Sequence, residues 1–374
     1  MAKYNHRVWT AVALMVLVPS CAREGTLPIR ATDPPPSTVS EAAPSTEGIS
    51  TTTTTTATTT APSSTSTAVL TTVAPLSTSG KPLGLAIDDV TAIAVGQSGL
   101  VAFATSDGAL AIVEPGSEEP SVIKAHTPLT DIAIAIDGEL IITSDEYGSL
   151  QGWMQRAGSW ETVWSKESAH RGPIMAIDVV TDQNVLLSAG NDRSVKRWIY
   201  DESGIQNDGE PLDFGQPISD MALSPDGQVI AVVSSRSALM VADESSIQVL
   251  PIANVVPNAL AFLSNRELLV SGSDRVLQVD IDAESLNDTP GTPLFSESVT
   301  AIAISRSDAD EPLVVAGGGS NGVGQIVAWR GHEPERAILV AGLLESPTAV
   351  AFDRTNSRVY GADRSQSFAR QLKQ

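Results

Sequence analysis

The sequence predicts an all-β fold, a seven-bladed β-propeller closed by its terminal strands and preceded by a disordered linker. Three observations lead to this prediction. A short apolar motif recurs seven times after residue 82. Short apolar runs and polar turns follow each copy, as in β-hairpins, and no long segment there has the 3.6-residue period of a helix. The residues before 82, apart from one apolar run, are too polar to form a core.

The charge and the cysteine content exclude several classes of function. The chain has 44 acidic and 23 basic residues and a formal net charge of −21. This balance argues against nucleic acid as a partner, because phosphate binding needs a cationic surface, and against adsorption to an anionic membrane. A single cysteine permits neither an intramolecular disulfide nor a zinc site with several cysteines.

The first 21 residues have the organisation of an export signal. Lys3 and Arg7 precede an uncharged run at residues 8–18, and Ser20 then stands next to Cys21. The residues "VPSC" resemble a bacterial lipobox, with Pro19 where Ala or Ser is usual. This resemblance implies cleavage before Cys21 and a lipid on its sulfur. An ordinary signal peptide with a chance cysteine and an uncleaved anchor are the alternatives.

Residues 22–81 are predicted to be a disordered linker. They include "DPPPSTVSEAAPST" and a long Thr-rich tract, and they contain almost no apolar residue that could be buried. Their Ser, Thr and Pro bias is typical of a stalk that can carry O-linked sugars. As a flexible coil the linker would reach roughly 40 Å, and about 190 Å when extended.

The third predicted region, residues 82–374, consists of repeats. Copies of the motif, such as "VTAIAV" and "ISDMAL", begin at residues 90, 129, 174, 218, 257, 299 and 347. Their spacing of 39 to 48 residues matches a four-stranded propeller blade. Each unit continues with a turn, a second apolar strand, a tight polar turn and a third strand. The first strand is apolar on both faces, which predicts burial between neighbouring blades.

The third unit, "AHRGPIMAIDVVTDQNVLLSAGNDRSVKRW", resembles the WD-repeat family of β-propellers. It has His170 before the first strand, Ser188 on the second, Asp192 in the tight turn and Trp198 at the end of the third. The resemblance implies that these four side chains form a hydrogen-bonded structural tetrad.

The other units keep only parts of this set. His126, Thr143 and Trp153 fit the second unit, with Tyr147 in the place of the acid. Other turns keep the acid without the tryptophan, at Asp107, Asp274 and Asp363, and the sixth unit keeps Trp329 without the acid.

Ring closure is expected from the two ends of the repeat region. The last unit has room for three strands before the chain ends, and residues 82–88, "PLGLAID", are apolar enough to supply the fourth. Sharing one blade between the termini would cover two sheet edges.

No motif indicates catalysis, a metal or a cofactor. The segment "GGGSNGVG" at residues 317–324 formally fits a nucleophile elbow and a dinucleotide fingerprint, but a strand follows it where both motifs need a helix. We interpret it as a turn between two strands. His332 is interpreted as a loop residue. Acids occur on three inner strands, at Asp131, Asp178 and Asp220, where the resemblance implies a structural role.

The sequence therefore predicts an exported, lipid-anchored, monomeric and non-catalytic scaffold that binds a protein at the outer side of a bacterial membrane. The resemblance implies that partners dock on the face with the tight turns. The candidate contact residues there are Tyr147, Arg193, Arg236, Arg275 and Arg364. The alternatives are a lactonase-like hydrolase or ligand-binding propeller with its site in the central channel, and a spacer of the cell envelope.

Overall fold

A computed structural model describes residues 77–373 except for residues 181–182, 235, 237, 244–245, 251–255, 273–274, 283–284, 289–294, 306–310 and 334–335. The predicted signal peptide, Cys21, most of the predicted linker and Asp274 lie outside the described residues. The rest of the chain forms seven antiparallel sheets whose inner strands pack in a closed ring, which confirms the predicted seven-bladed propeller.

The blades are numbered in chain order, and each runs from the central channel outward. Blade 1 contains β2 (Val90–Val95), β3 (Val101–Thr105), β4 (Ala109–Val113) and β5 (Ser121–Lys124). Blade 2 contains β6 (Leu129–Ala135), β7 (Leu140–Asp145), β8 (Leu150–Arg156) and β9 (Ser159–Lys166), with a 3-10 turn at Ile136–Gly138. Blade 3 contains β10 (Ile174–Val180), β11 (Val185–Gly190), β12 (Ser194–Asp201) and β13 (Gly204–Asn207), and β14 (Leu212–Asp213) also pairs with β12.

The remaining blades repeat the same order. Blade 4 contains β15 (Ile218–Leu223), β16 (Ile230–Ser234), β17 (Leu239–Ala242) and β18 (Ile247–Leu250). Blade 5 contains β19 (Ala259–Phe262), β20 (Glu267–Ser271), β21 (Val276–Asp280) and β22 (Ser285–Asp288). Blade 6 contains β23 (Val299–Ser305), β24 (Leu313–Ser320), β25 (Val323–Arg330) and β26 (Ile338–Leu343). Blade 7 contains β27 (Ala349–Asp353), β28 (Arg358–Ala362), β29 (Ser367–Lys373) and, as its outer strand, β1 (Ser77–Gly84).

The two termini close the ring as predicted, but the N-terminal strand lies earlier than expected. β1 pairs with β29 from Ser77 opposite Lys373 to Gly84 opposite Phe368. The apolar residues that suggested a strand at 82–88 have another role, since Leu85 and Ile87 are buried between blades 7 and 1. An outermost strand can be polar because one of its edges faces solvent.

The core is divided into seven apolar clusters, each contributed by two neighbouring blades. At the junction of blades 7 and 1, the rings of Tyr360 and Phe103 meet edge to face with centroids 6.1 Å apart. Full burial of one such side chain contributes about 1.5–3 kcal/mol. Most of the stabilisation therefore comes from contacts between blades.

Inner strands such as β2 and β23 are less buried than their apolar sequences suggest, whereas β27 is buried throughout. In β2 only Val90 is fully buried, and the rest of the strand is half-buried. In contrast, β3 and β4 of the same blade are buried throughout. One edge of every inner strand faces the channel, which explains the difference.

The glycine-rich segment contains the predicted turn between the second and third strands, but the turn is shorter than expected and most of the segment lies in strands. Gly317, Gly318 and Gly319 lie in β24, and only Asn321 and Gly322 form the turn, both with positive φ. The three glycines are required by close neighbours: a Cβ on Gly317 would lie 2.7 Å from Pro347, and one on Gly318 would lie 2.4 Å from the Phe295 ring.

A search for membrane-spanning helices within the described residues finds none that is long and apolar enough.

Candidate functional site

Blade 3 contains a continuous chain of side-chain hydrogen bonds. The indole Nε1 of Trp198 donates to Ser188 Oγ (2.8 Å), and Ser188 Oγ lies 2.7 Å from His170 Nε2. His170 Nδ1 lies 2.9 Å from Asp192 Oδ1. Because a carboxylate only accepts, the network assigns the ring proton to Nδ1, and Ser188 then donates to Nε2. The structure thus brings together His170, Ser188, Asp192 and Trp198, and the chain links the loop before β10 to β11 and β12.

Burial sets the charge state of this network. Burial lowers the pKa of His170 below 6.5, although Asp192 opposes the effect. The folded state therefore favours the neutral imidazole, and the stability this residue contributes is lost as the pH falls below about 6.5. Burial alone would raise the pKa of Asp192, but hydrogen bonds from Arg171 N, His170 and Ser194 outweigh it and lower this pKa to about 2. At neutral pH the network therefore contains a neutral His170 beside an ionised Asp192.

His126 does not take the corresponding place in blade 2, so its predicted tetrad role is wrong. Its side chain is exposed. Trp153 Nε1 donates to Thr143 Oγ1 (2.9 Å), and His126 does not extend this hydrogen bond into a network. The place of His170 is taken by Ala125: its amide donates to Gly108 O of the preceding blade, as the amide of His170 donates to Gly148 O. One residue fewer separates His126 from its inner strand, which puts it out of register.

The turn acids differ in their roles. Asp107 accepts from Thr105 Oγ1 (2.6 Å) and pairs with Lys124 (2.6 Å). Asp363 accepts the amides of Ser365 and Gln366, both at 2.8 Å. These acids stabilise their own turns and join no tetrad.

Blade 2 holds its turn with an acid that the sequence analysis did not identify. Buried Asp145 accepts the amides of Tyr147 (2.9 Å) and Ser149 (2.8 Å). It occupies the place that Gly190 has in blade 3, where a Cβ would collide with His170 Nδ1 at 2.5 Å. The smaller Ala125 leaves room for it. Sequence spacing did not reveal this exchange, because the two positions belong to separate segments.

The five predicted contact residues lie on one face of the propeller, in turns between second and third strands. We call this face the turn-bearing face. Tyr147 is 67% exposed, three arginines are exposed and Arg275 is half-buried. Among the described residues, no ion pair involves the three exposed guanidinium groups, which belong to Arg193, Arg236 and Arg364.

The three acids of the inner strands line the central channel, and each of them accepts hydrogen bonds from backbone amides. Asp131 Oδ2 accepts Ile177 N (2.7 Å), and Asp220 Oδ2 accepts Leu260 N (2.7 Å). Burial, the largest effect, raises the pKa of Asp131 and that of Asp220 to about 7 each, although the backbone amides lower both. The described residues include no group of three or more His, Cys, Asp or Glu side chains that could hold a metal.

A cavity of about 340 Å³ opens at the end of the channel opposite the turn-bearing face, where the inner strands end. Most of the residues around it are apolar, including Val180, Met221, Leu223 and Phe262, but the surface that it exposes is mainly polar, and Asp178 is its single ionisable residue. His332 is elsewhere: it is exposed near Gln278 and Glu267. The cavity therefore offers a mainly polar surface, with apolar side chains around it and one carboxylate.

Comparison with known families identifies one repeat. Residues 162–198 match the family described as "WD domain, G-beta repeat". The match begins within β9 of blade 2 and ends at Trp198 in β12, and so it includes the hydrogen-bonded chain of blade 3. The comparison with curated proteins gives no match. The matched repeat and the seven-bladed ring together support the WD-repeat propeller family.

Proposed function

We propose that this WD-repeat propeller is a non-catalytic scaffold that binds a protein partner through its turn-bearing face at the bacterial cell envelope. WD-repeat propellers generally act as interaction scaffolds, and the match in blade 3 supports that general role. The envelope location, the monomeric state and a lipid on Cys21 are parts of the proposal that come from the N-terminal sequence.

The observation that carries the proposal is the set of exposed side chains on the turn-bearing face. Arg193, Arg236 and Arg364 have no ion pair among the described residues, in a chain whose net charge is −21. Exposed Tyr147 adds an aromatic ring to the same face. Arginine and tyrosine are the residues most enriched in interface hot spots. This face suits a partner with acidic and aromatic contact groups.

A ligand-binding or hydrolytic role in the channel is the second candidate, and the 340 Å³ cavity favours it. Its size suits a small ligand, which would meet a mainly polar surface with apolar side chains around it. The scaffold is the better proposal because each channel carboxylate already accepts backbone amides. A spacer without a specific partner is the third candidate, and the experiment below distinguishes it.

The experiment is crosslinking in intact cells at native expression, followed by identification of the attached protein. We expect one defined envelope protein with the wild type. Replacing Arg193, Arg236 and Arg364 together by Glu should reduce its recovery at least about 10-fold, because interface arginines commonly contribute more than 1 kcal/mol each.

The control has the same change in charge at three exposed arginines outside the turn-bearing face, Arg156, Arg266 and Arg336. It should retain the partner. Equal losses in both triple variants would contradict the assigned face, and no specific attachment with the wild type would favour the spacer. Turnover of a small ester or lactone by the purified protein would favour the channel candidate.

A further inference from the structure

Among the described residues, side chains on the inner strands or directly before them form hydrogen bonds, or ties, across six of the seven junctions between blades. Three of these ties are neutral. Thr91 Oγ1 donates to Leu129 O of blade 2 (3.0 Å), and Asn258 Nδ2 donates to Val299 O of blade 6 (2.9 Å). Thr300 Oγ1 donates to Pro347 O of blade 7. Each neutral tie is a donor that meets a carbonyl of the next blade.

The other three ties are carboxylates, and they occupy consecutive junctions. Asp131 joins blade 2 to Ile177 N of blade 3, and Asp220 joins blade 4 to Leu260 N of blade 5. Between them, Asp178 Oδ2 accepts Leu223 N (3.0 Å). The second oxygen of Asp131 and that of Asp178 accept an amide of their own strand, at 2.8 Å each. We call blades 2 to 5 the acidic arc.

The described strands around the three acid-bearing strands contain no cationic residue. The three inner strands that carry the acids, β6, β10 and β15, pack against β2, β3, β7, β11, β16 and β19, none of which contains Lys, Arg or His. The one other titratable residue on these strands is Asp145, which accepts amides in its own turn.

The three carboxyl groups also interact with one another. Besides burial, which is the largest effect, the charge of Asp178 raises the pKa of Asp131. The charges of Asp131 and Asp178 likewise raise the pKa of Asp220. Like charges that interact cannot all ionise without cost. Protonation near neutral pH relieves this repulsion, and a protonated carboxyl keeps lone pairs that can accept the same amides.

We propose that the acidic arc is a pH-sensitive section of the ring, whose junctions tighten when its carboxyl groups take up protons and loosen when they ionise together. The junctions tied by Thr91, Asn258 and Thr300 do not titrate and hold the rest of the ring. Protons are exchanged with water in the channel, and no other reactant is needed. The arc thus makes the propeller more rigid in a mildly acidic environment than in an alkaline one.

The sign of the effect follows from linkage. The folded state binds protons at Asp131 and Asp220 that the unfolded chain has already released above about pH 4. The stability from these groups is therefore fully present below about pH 4 and is lost as the pH rises through about 7. His170 acts in the opposite direction below about pH 6.5, equally in every variant that retains it.

The test measures the melting temperature of the full-length chain between pH 5.5 and 8.5. For the wild type we expect a fall of roughly 5 °C or more across this range. Asp131→Asn and Asp220→Asn should each melt lower at pH 5.5, because one amide loses its acceptor, but should lose less on going to pH 8.5. The matched control Thr300→Val loses a neutral tie, so it should melt lower at every pH and keep the wild-type fall.

A wild-type fall retained in both Asn variants would overturn the proposal. If neither variant folds, the decision rests on wild-type protein labelled with ¹³C at the aspartate carboxyl groups. Carboxyl signals that titrate near pH 7 are the expected result. Midpoints below about pH 5 for all aspartates would overturn it.

Discussion

At the scale of single residues, the loop before each inner strand decides what the second strand can carry. Phe295 in blade 6 and His170 in blade 3 both precede their inner strands by four residues, and a ring at this place needs a glycine opposite. Gly318 and Gly190 supply it at equivalent positions of the register. In blade 2, Ala125 takes the place of the ring and buried Asp145 replaces the glycine.

Gly318→Ala should therefore destabilise the protein by about 1–3 kcal/mol, because its Cβ would lie 2.4 Å from Phe295 Cδ1 and 2.8 Å from Ser298 O. Chemical denaturation followed by intrinsic fluorescence measures the free energy of unfolding. The control is Gly342→Ala, whose Cβ would meet only Gly324 O at 4.0 Å, and it should change stability by less than about 0.5 kcal/mol. Equal effects of the two substitutions would contradict the packing argument.

At the scale of the element, blades 2 and 3 are tied to different extents. In blade 3 the Ser188 hydroxyl connects two buried groups, Trp198 Nε1 and His170 Nε2. In blade 2 the Thr143 hydroxyl meets Trp153 Nε1 without a histidine. A buried polar group without a partner costs about 1–3 kcal/mol. The two hydroxyls should therefore differ in their contribution to stability.

Ser188→Ala should cost about 2–5 kcal/mol, because it leaves two buried groups without partners, and Thr143→Val should cost about 1–3 kcal/mol. Equilibrium unfolding of both variants beside the wild type provides the comparison. The variant Ser203→Ala removes an exposed hydroxyl and should be close to neutral. If Thr143→Val loses as much stability as Ser188→Ala, or more, the four hydrogen-bonded residues of blade 3 stabilise the protein no more than the Thr143–Trp153 pair of blade 2.

At the scale of the whole molecule, the closure of the ring does not depend on the proposed attachment to a membrane through Cys21. The ring closes through β1 and β29, which bring residues 77–84 and 367–373 into one sheet. Its core lies in seven clusters between blades, none of which contains the single cysteine. The folded ring thus needs no thiol, and Cys21 is free for the attachment that we propose.

Cys21→Ser should release the protein from the membrane fraction, or prevent its correct localisation, since serine cannot carry a thioether-linked lipid. Cell fractionation with immunodetection measures the distribution. The melting temperature should equal that of the wild type, because none of the seven core clusters includes Cys21. Ser20→Thr, which keeps the cysteine, serves as the control for a change in the signal region. If the Cys21→Ser protein remains in the membrane fraction, the proposed lipid anchor is wrong.

Sequence reasoning found the features that repeat and missed those that depend on a neighbouring blade. The spacing of His170, Ser188, Asp192 and Trp198 was informative because all four lie within one repeat. His126 misled because its loop is one residue shorter, a difference that changes the register. The glycines of β24 were assigned to a turn because the rings and prolines that enclose them come from other segments.

The all-β class, the seven units and the closure by both termini could be predicted from the sequence, because a strand period and a regular turn spacing are local properties of the chain. Which side chains join one blade to the next became visible in the folded ring. Asp131, Asp178 and Asp220 have similar sequence surroundings to the neutral residues on other inner strands. Their role depends on amides about 40 residues further along the chain, which the ring brings within 3.0 Å.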